Sequence, residues 1–175
     1  MNEKRVFIAV NLPAQVRADI YELLSKNIPK GKCKIVEKEN LHITMKFLGY
    51  LNDEKIEEVK NAIDKLKAKP FEAIIEGLGH FNGRVIWLGV EQGGNELIEI
   101  SNQLNNLLEI QDERFHPHIT VARNKEMRRK EIDELIHSLN EKKYSAKIFV
   151  DRIDLMLSNL TPKGSIYSKL YQKTF

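Results

Sequence analysis

Asn40-Leu41-His42-Ile43-Thr44-Met45-Lys46-Phe47-Leu48-Gly49 and Phe115-His116-Pro117-His118-Ile119-Thr120-Val121-Ala122-Arg123 decide the reading of this chain. Each stretch carries the pattern His-x-Thr-x inside an apolar, partly β-branched run, which reads as a strand. Side chains alternate faces along a strand, so His and Thr two apart share a face while Ile43 and Ile119 point the other way. Each copy thus offers an imidazole beside a hydroxyl. A single His-x-Thr is ordinarily a strand with a polar pair on its wet face. Two copies in matching contexts point to a shared site with two histidines and two hydroxyls.

The order of elements around the copies supports that pairing. Residues 5–10 read as a strand. Residues 13–26 read as a helix, with Pro13 in its first turn and Val16, Ile20, Leu23 and Leu24 on one face. The first motif strand spans 41–47. Asn52 caps the next helix, whose apolar face is Ile56, Val59, Ile63 and Leu66. A strand follows at 71–75. The order then repeats: a strand at 84–90, a helix from 95 with Leu97, Ile100, Leu104, Leu107 and Leu108 inward, the second motif strand at 118–122, and a helix capped by Asn124 with Ile132, Leu135, Ile136 and Leu139 inward. Strands at 147–150, 153–157 and 165–171 end the chain. Sequence identity between the halves is low, so the duplication rests on element order and motif. A duplicated unit would bring two residues 76 positions apart into one cleft.

Length and composition narrow the alternatives. The 175 residues fit one domain or two tightly packed halves. With 42% apolar and 30% charged residues, the chain belongs with soluble globular proteins rather than disordered ones. A net charge of +3 permits nucleic acid but does not demand it, so any electrostatic footprint must come from clustering. The single cysteine, Cys33, excludes an intramolecular disulfide and argues against a cysteine metal site. The opening apolar run is much shorter than a membrane span and has no signal-peptide cleavage region, so a cytoplasmic protein is expected. No GxxxxGK[ST] pattern is present, so ATP-driven chemistry is not expected.

Imidazole titrates near neutrality, so one His can accept a proton while the other donates one. Breaking a P–O bond requires both acts, and hydroxyls and N–H groups can hold the non-bridging oxygens. His116 shares the strand parity of His118, which leaves a metallohydrolase built on His116, His118 and His42 as a rival; Pro117 beside it favours an exposed loop residue. Lys46, on the parity of His42 and Thr44, is expected to add positive potential to the cleft. Regular alternation would turn Arg123 away from the cleft unless the strand ends or bulges near Ala122. Phe47, Phe81 and Tyr167 are aromatic candidates for base stacking, each also readable as core. His80 reads as a loop residue in a turn-like stretch, His137 as a structural helix residue, and the 127–131 run as a solvated helix turn.

The two motif blocks, with the opening RVFIAVNLP and the closing LSNLTPKGSIYSKL, resemble the two-histidine phosphoesterase superfamily. The nearest branch is the RNA 2′,3′-cyclic phosphodiesterases, also called 2′-5′ RNA ligases. The resemblance covers nearly the whole chain and implies an α+β fold, bilobal and duplicated, with two antiparallel sheets flanking a central cleft and helices outside. It implies one two-lobed domain over residues 1–175, with motifs at 42–45 and 118–121. It makes His42 the proton donor and His118 the proton acceptor, has Thr44 and Thr120 bind phosphate with Arg123 beside them, and favours Tyr167 as a stacking residue; Phe47 is kept beside it for its place next to the first motif. The implied reaction opens RNA 2′,3′-cyclic phosphate ends to 2′-phosphates without metal or other cofactor; its reverse joins RNA through a 2′-5′ linkage. The expected partner is RNA with a cyclic phosphate end, tRNA fragments included, with no membrane partner and a monomeric state. The alternatives are a phosphodiesterase for another cyclic phosphate or a 2′-5′ oligonucleotide, and a non-catalytic module that binds RNA ends.

Overall fold

Apolar alternation in the motif blocks and helical periodicity between them produce the elements read from the sequence in their expected order, with a short strand and a 3₁₀ turn added before the first motif. A computed structural model describes residues 2–111 and 114–175. Along them run β1 (Lys4–Asn11), α1 (Ala14–Asn27), β2 (Cys33–Ile35), a 3₁₀ turn at Lys38–Asn40, β3 (His42–Leu51), α2 (Asp53–Asp64), β4 (Phe71–Phe81), β5 (Val85–Val90), α3 (Gly94–Leu108), β6 (His118–Asn124), α4 (Arg129–Glu141), β7 (Ser145–Val150), β8 (Arg152–Thr161) and β9 (Gly164–Thr174).

The strands pair antiparallel in the order β7-β4-β5-β6-β3-β1-β8-β9, with β2 alongside β6. The α+β, antiparallel reading holds. The two expected sheets are the halves of this path, and β3 and β6 join them through one residue pair, Ile43 opposite Ile119. The cleft lies at this narrow seam, on the face opposite these isoleucines. The lobes are not the two halves of the chain. Strand β4 follows the first motif but pairs with β5 and β7, and β8 follows the second motif but pairs with β1.

Ile43 and Ile119 are fully buried, in one cluster with Ile8, Ile86 and Leu88 from neighbouring strands. Helices cover this face with Ile20 and Leu24 (α1), Ile56, Val59 and Ile63 (α2), Leu97, Ile100 and Leu104 (α3), and Ile132 and Leu139 (α4). Full burial of such a side chain contributes about 1.5–3 kcal/mol. The seam that positions the motifs therefore sits in the buried core.

Several local expectations change. Asn52 caps α2 as read, its Oδ1 accepting from Lys55 N at 2.9 Å. Asn124 does not cap α4, because β6 runs through it and a turn intervenes. Its side chain instead locks that turn, accepting from Met127 N and donating to the carbonyls of Met127 and Gly83. At the start of α4, Glu131 accepts from the backbone N–H of Arg128 at 2.7 Å. Strand β4 extends to Phe81, past the turn-like glycines. An extra residue between Ile75 and Leu78 bulges it, with Gly77 at positive φ. His80 therefore lies on a strand, where its Nε2 donates to Asp133 and its Nδ1 accepts from Gly83 N. His137 is on the solvent side of α4, 3.4 Å from Glu141, and is not a packing residue.

Candidate active site

The pleat across the Ile43–Ile119 pair puts His42, Thr44, His118 and Thr120 on the face opposite the core. They line one cleft of about 280 Å³ together with Arg123, Phe47 and Tyr167. These seven of the side chains singled out from the sequence converge there; Lys46 and Phe81, also named as candidates, do not line it.

The two imidazoles are held in the same way. His42 Nδ1 lies 2.6 Å from the Asn40 carbonyl, and His118 Nδ1 lies 2.6 Å from the His116 carbonyl. A carbonyl only accepts, so each Nδ1 carries the hydrogen. In the neutral ring this leaves Nε2 with its lone pair, free for proton traffic. The Thr44 hydroxyl is 2.8 Å from His42 Nε2 and donates to it while the ring is neutral. Once the ring is protonated, the hydrogen bond reverses.

Burial, the largest influence, lowers the proton affinity of both imidazoles below the ordinary histidine value. The carbonyl hydrogen bonds oppose it. His118 lowers His42 further, and His116 lowers His118. Both rings therefore lean towards neutrality. A bound phosphate anion acts in the opposite sense, since a nearby negative charge favours imidazolium.

One irregularity of the backbone sets which residues follow the histidines into the cleft. On β6, Thr120 pairs with Trp87 and Ala122 with Ile86, so Val121 is an extra residue. On β3, Thr44 pairs with Ala9 and Lys46 with Ile8, so Met45 is extra in the same motif position. Such a bulge shifts the alternation by one. Val121 and Ala122 are both buried, and Arg123 turns to the cleft. In the first motif, Phe47 takes the equivalent place. The expectation that Lys46 faces the cleft is thereby corrected: the bulge swings it to the opposite face, where it is 4% exposed.

Aromatic rings frame both histidines. His42 packs against Phe7 at 5.0 Å and edge-on to Tyr167 at 5.5 Å. Phe47, 72% exposed, lines the cleft and lies tilted 6.3 Å from Phe7. On the other lobe, Phe81 meets His118 edge-on at 5.1 Å. His116 is exposed and packs on Trp87 at 4.9 Å. Among the described residues, no group of three or more His, Cys, Asp or Glu side chains is arranged to hold a metal ion.

Sequence reasoning missed several cleft residues. Arg5, Lys34 and Lys163 line it, against one acid, Glu37. Lys34 lies on β2 directly across from Arg123, and β2 is too short to show a period. Asn40 positions His42 through its carbonyl and donates its side-chain N–H to the Ser165 carbonyl at 2.8 Å, tying the 3₁₀ turn to the start of β9. Arg5 and Lys163 fall in the opening and closing segments, whose resemblance to the phosphoesterases was the available signal. The lining is strongly cationic although the whole chain is nearly neutral.

A family model described as the 2′-5′ RNA ligase superfamily matches residues 12–161. The chain belongs to the 2′-5′ RNA ligase superfamily. Among its relatives, an Archaeoglobus fulgidus protein named RNA 2′,3′-cyclic phosphodiesterase is 33% identical over 95% of this chain and 97% of its own length. A Thermotoga maritima protein of the same name is 32% identical over 98% and 95%. Escherichia coli LigT in its apo form superposes with a TM-score of 0.82 at 25% identity, covering 99% of this chain and 98% of LigT. A Thermus thermophilus structure superposes at 0.79 with 27% identity and 97% coverage of both.

Proposed function

We propose that this superfamily member hydrolyses 2′,3′-cyclic phosphate ends of RNA to 2′-phosphates. The carrying observation is the matched pair of imidazoles, each pinned through Nδ1 and presenting Nε2 to one cationic cleft. The names of the full-length relatives point to the same reaction.

In the proposed reaction, His118 Nε2 takes a proton from water as its oxygen attacks phosphorus. His42 Nε2, protonated in the complex, gives its proton to the departing 3′-oxygen. The Thr44 and Thr120 hydroxyls and the Arg123 guanidinium hold the non-bridging oxygens as charge builds on them. Phe47 and Tyr167 receive the base of the terminal nucleotide. No step is assigned to a metal, because a metal on His118 Nε2 would occupy the lone pair that takes the proton in this reaction. Nδ1 donates to the His116 carbonyl, and Nε2 moves the proton.

The reading extends to a single two-lobed domain acting as a monomer in the cytoplasm, with tRNA fragments among its RNAs. The test is incubation with a panel of 2′,3′-cyclic nucleotides and oligonucleotides in chelator, with the phosphate isomer read by phosphorus NMR. The 2′-phosphate should form at an undiminished rate. Formation of the 3′-isomer, absence of turnover, or activity that needs added divalent ion refutes the proposal.

A further inference from the structure

The reaction proposed above leaves an aromatic surface unused. Phe81, at the end of β4, touches three rings at once: His118 at 5.1 Å, Trp87 at 5.4 Å and His116 at 5.7 Å. It is nevertheless 37% exposed. The indole below is held flat, since a Cβ on Gly79 would come within 2.4 Å of the Trp87 ring. Beside Trp87 and His116 opens a hollow of about 400 Å³ walled partly by Gly77 and Gly89. The Trp87 indole N–H has no acceptor among the described residues. Arg84, at the tip of the same hairpin, is exposed, and Val85 next to it pairs with Arg123, while the hollow itself is lined by the acids Glu76 and Glu91.

In-line displacement gives the platform a direction. The attacking oxygen and the leaving 3′-oxygen lie on opposite sides of phosphorus. The substrate ribose is attached to the leaving oxygen and lies on the His42 side. Whatever is attached to the attacking oxygen lies on the His118 side. Water carries nothing there, so hydrolysis makes no use of exposed rings beside His118; an attacking alcohol does.

We propose that Phe81, packed at a tilt on Trp87 and edge-on to His116, is the base-binding platform for a nucleoside whose 5′-hydroxyl replaces water as the attacking group. This rests on the assignment of His118 as proton acceptor. The 5′-oxygen forms a bond to phosphorus as the P–O3′ bond breaks. Its proton passes to His118 Nε2, and His42 Nε2 delivers one to the 3′-oxygen. The product is a 2′-5′ phosphodiester with a free 3′-hydroxyl. The cyclic phosphate ester itself is the activated donor, so no co-reactant is needed.

Two measurements test this. In the first, the enzyme acts on cyclic-phosphate RNA in the presence of a 5′-hydroxyl dinucleotide, and the ratio of joined product to 2′-phosphate is read. The ratio should rise and saturate with dinucleotide, exceed that for glycerol at equal concentration, and fall about tenfold in Phe81→Leu, as expected for one lost stacking contact. Because both products come from the same enzyme, the ratio is insensitive to the fraction folded. In the second, Trp87, the sole tryptophan, reports binding directly. Its fluorescence should respond to the dinucleotide while a nucleoside 2′-phosphate saturates the cleft. Hydrolysis with no joined product above the glycerol level, an unchanged ratio in Phe81→Leu, or a flat fluorescence titration at millimolar dinucleotide overturns the inference and leaves the hydrolase reading standing. Failure of the wild-type protein to hydrolyse any cyclic phosphate overturns that reading instead, and the titration then decides the platform alone.

Discussion

Replacing Arg123 with Gln tests whether the β6 bulge serves the site. Regular alternation from His118 turns position 123 away from the cleft, and only the extra residue at Val121 brings it back. If the guanidinium holds a phosphate oxygen, Gln removes a charge-assisted bond worth about 1.5–3 kcal/mol. At 1.36 kcal/mol per factor of ten, that range is about 10–150-fold in kcat/KM. Arg123 is exposed, and water screens its charge, so the expected loss lies near the lower end, about 10–30-fold. Lys should recover part of the loss, because it keeps the charge without the planar fork. Folding stability should move by less than about 0.5 kcal/mol, as for an exposed side chain. The assay is steady-state hydrolysis of a 2′,3′-cyclic dinucleotide end beside a thermal melt of each variant. A kcat/KM within about twofold of wild type in Arg123→Gln, with the melt unchanged, refutes the reasoning and returns Arg123 to the surface.

Thr44→Val removes the hydroxyl that lies 2.8 Å from His42 Nε2 and should lower kcat by about tenfold or more while leaving the fold intact; an unchanged kcat contradicts the role of this hydroxyl. The pH profiles should differ between the two kinetic constants. Burial holds both imidazoles below the ordinary value of 6.5, so the bell-shaped kcat/KM profile of the free enzyme should peak on the acid side of that value. The kcat profile should lie at higher pH, because bound phosphate favours imidazolium; coincident profiles contradict this. Stability follows from the same shifts. The unfolded chain binds protons more readily than the folded one near pH 6.5, so these groups contribute stability above that pH and lose it as pH falls through their lowered folded values. Melting temperature should therefore drop on acidification below that point, and His118→Gln should reduce the slope; an equal slope in the variant argues against the buried neutral state.

What the sequence made legible was the part governed by period. Alternation in the two motif blocks placed His42, Thr44, His118 and Thr120 on one face, and the apolar spacing of α2 and α3 was read nearly to their ends. Bulges were harder to see because a bulge places two neighbours on the same side. In the second motif, the apolar pair Val121-Ala122 was the visible trace, and it left Arg123 as a conditional assignment. In the first, the charge of Lys46 concealed the same event by looking like a solvent residue on the cleft face. The glycines of β4 resembled a turn because nothing local shows that Trp87 lies across Gly79. Lys34 reached the cleft through a three-residue strand, shorter than any readable period. The exchange of β4 and β8 between lobes leaves no local mark, since it depends on which strands pair and not on how each one forms.

The central claim is that two imidazoles, one from each motif, carry out one proton-coupled displacement. The most direct measurement is single-turnover hydrolysis of a 2′,3′-cyclic phosphate RNA end by His42→Ala, His118→Ala and the double variant, all in chelator and with folding confirmed by circular dichroism. Each single variant should lose about 10²–10⁴ in rate, and the double variant should lose much less than the product of the two, because the pair serves one transition state. A single variant that retains near-wild-type rate, or losses that multiply as independent effects, contradicts the account.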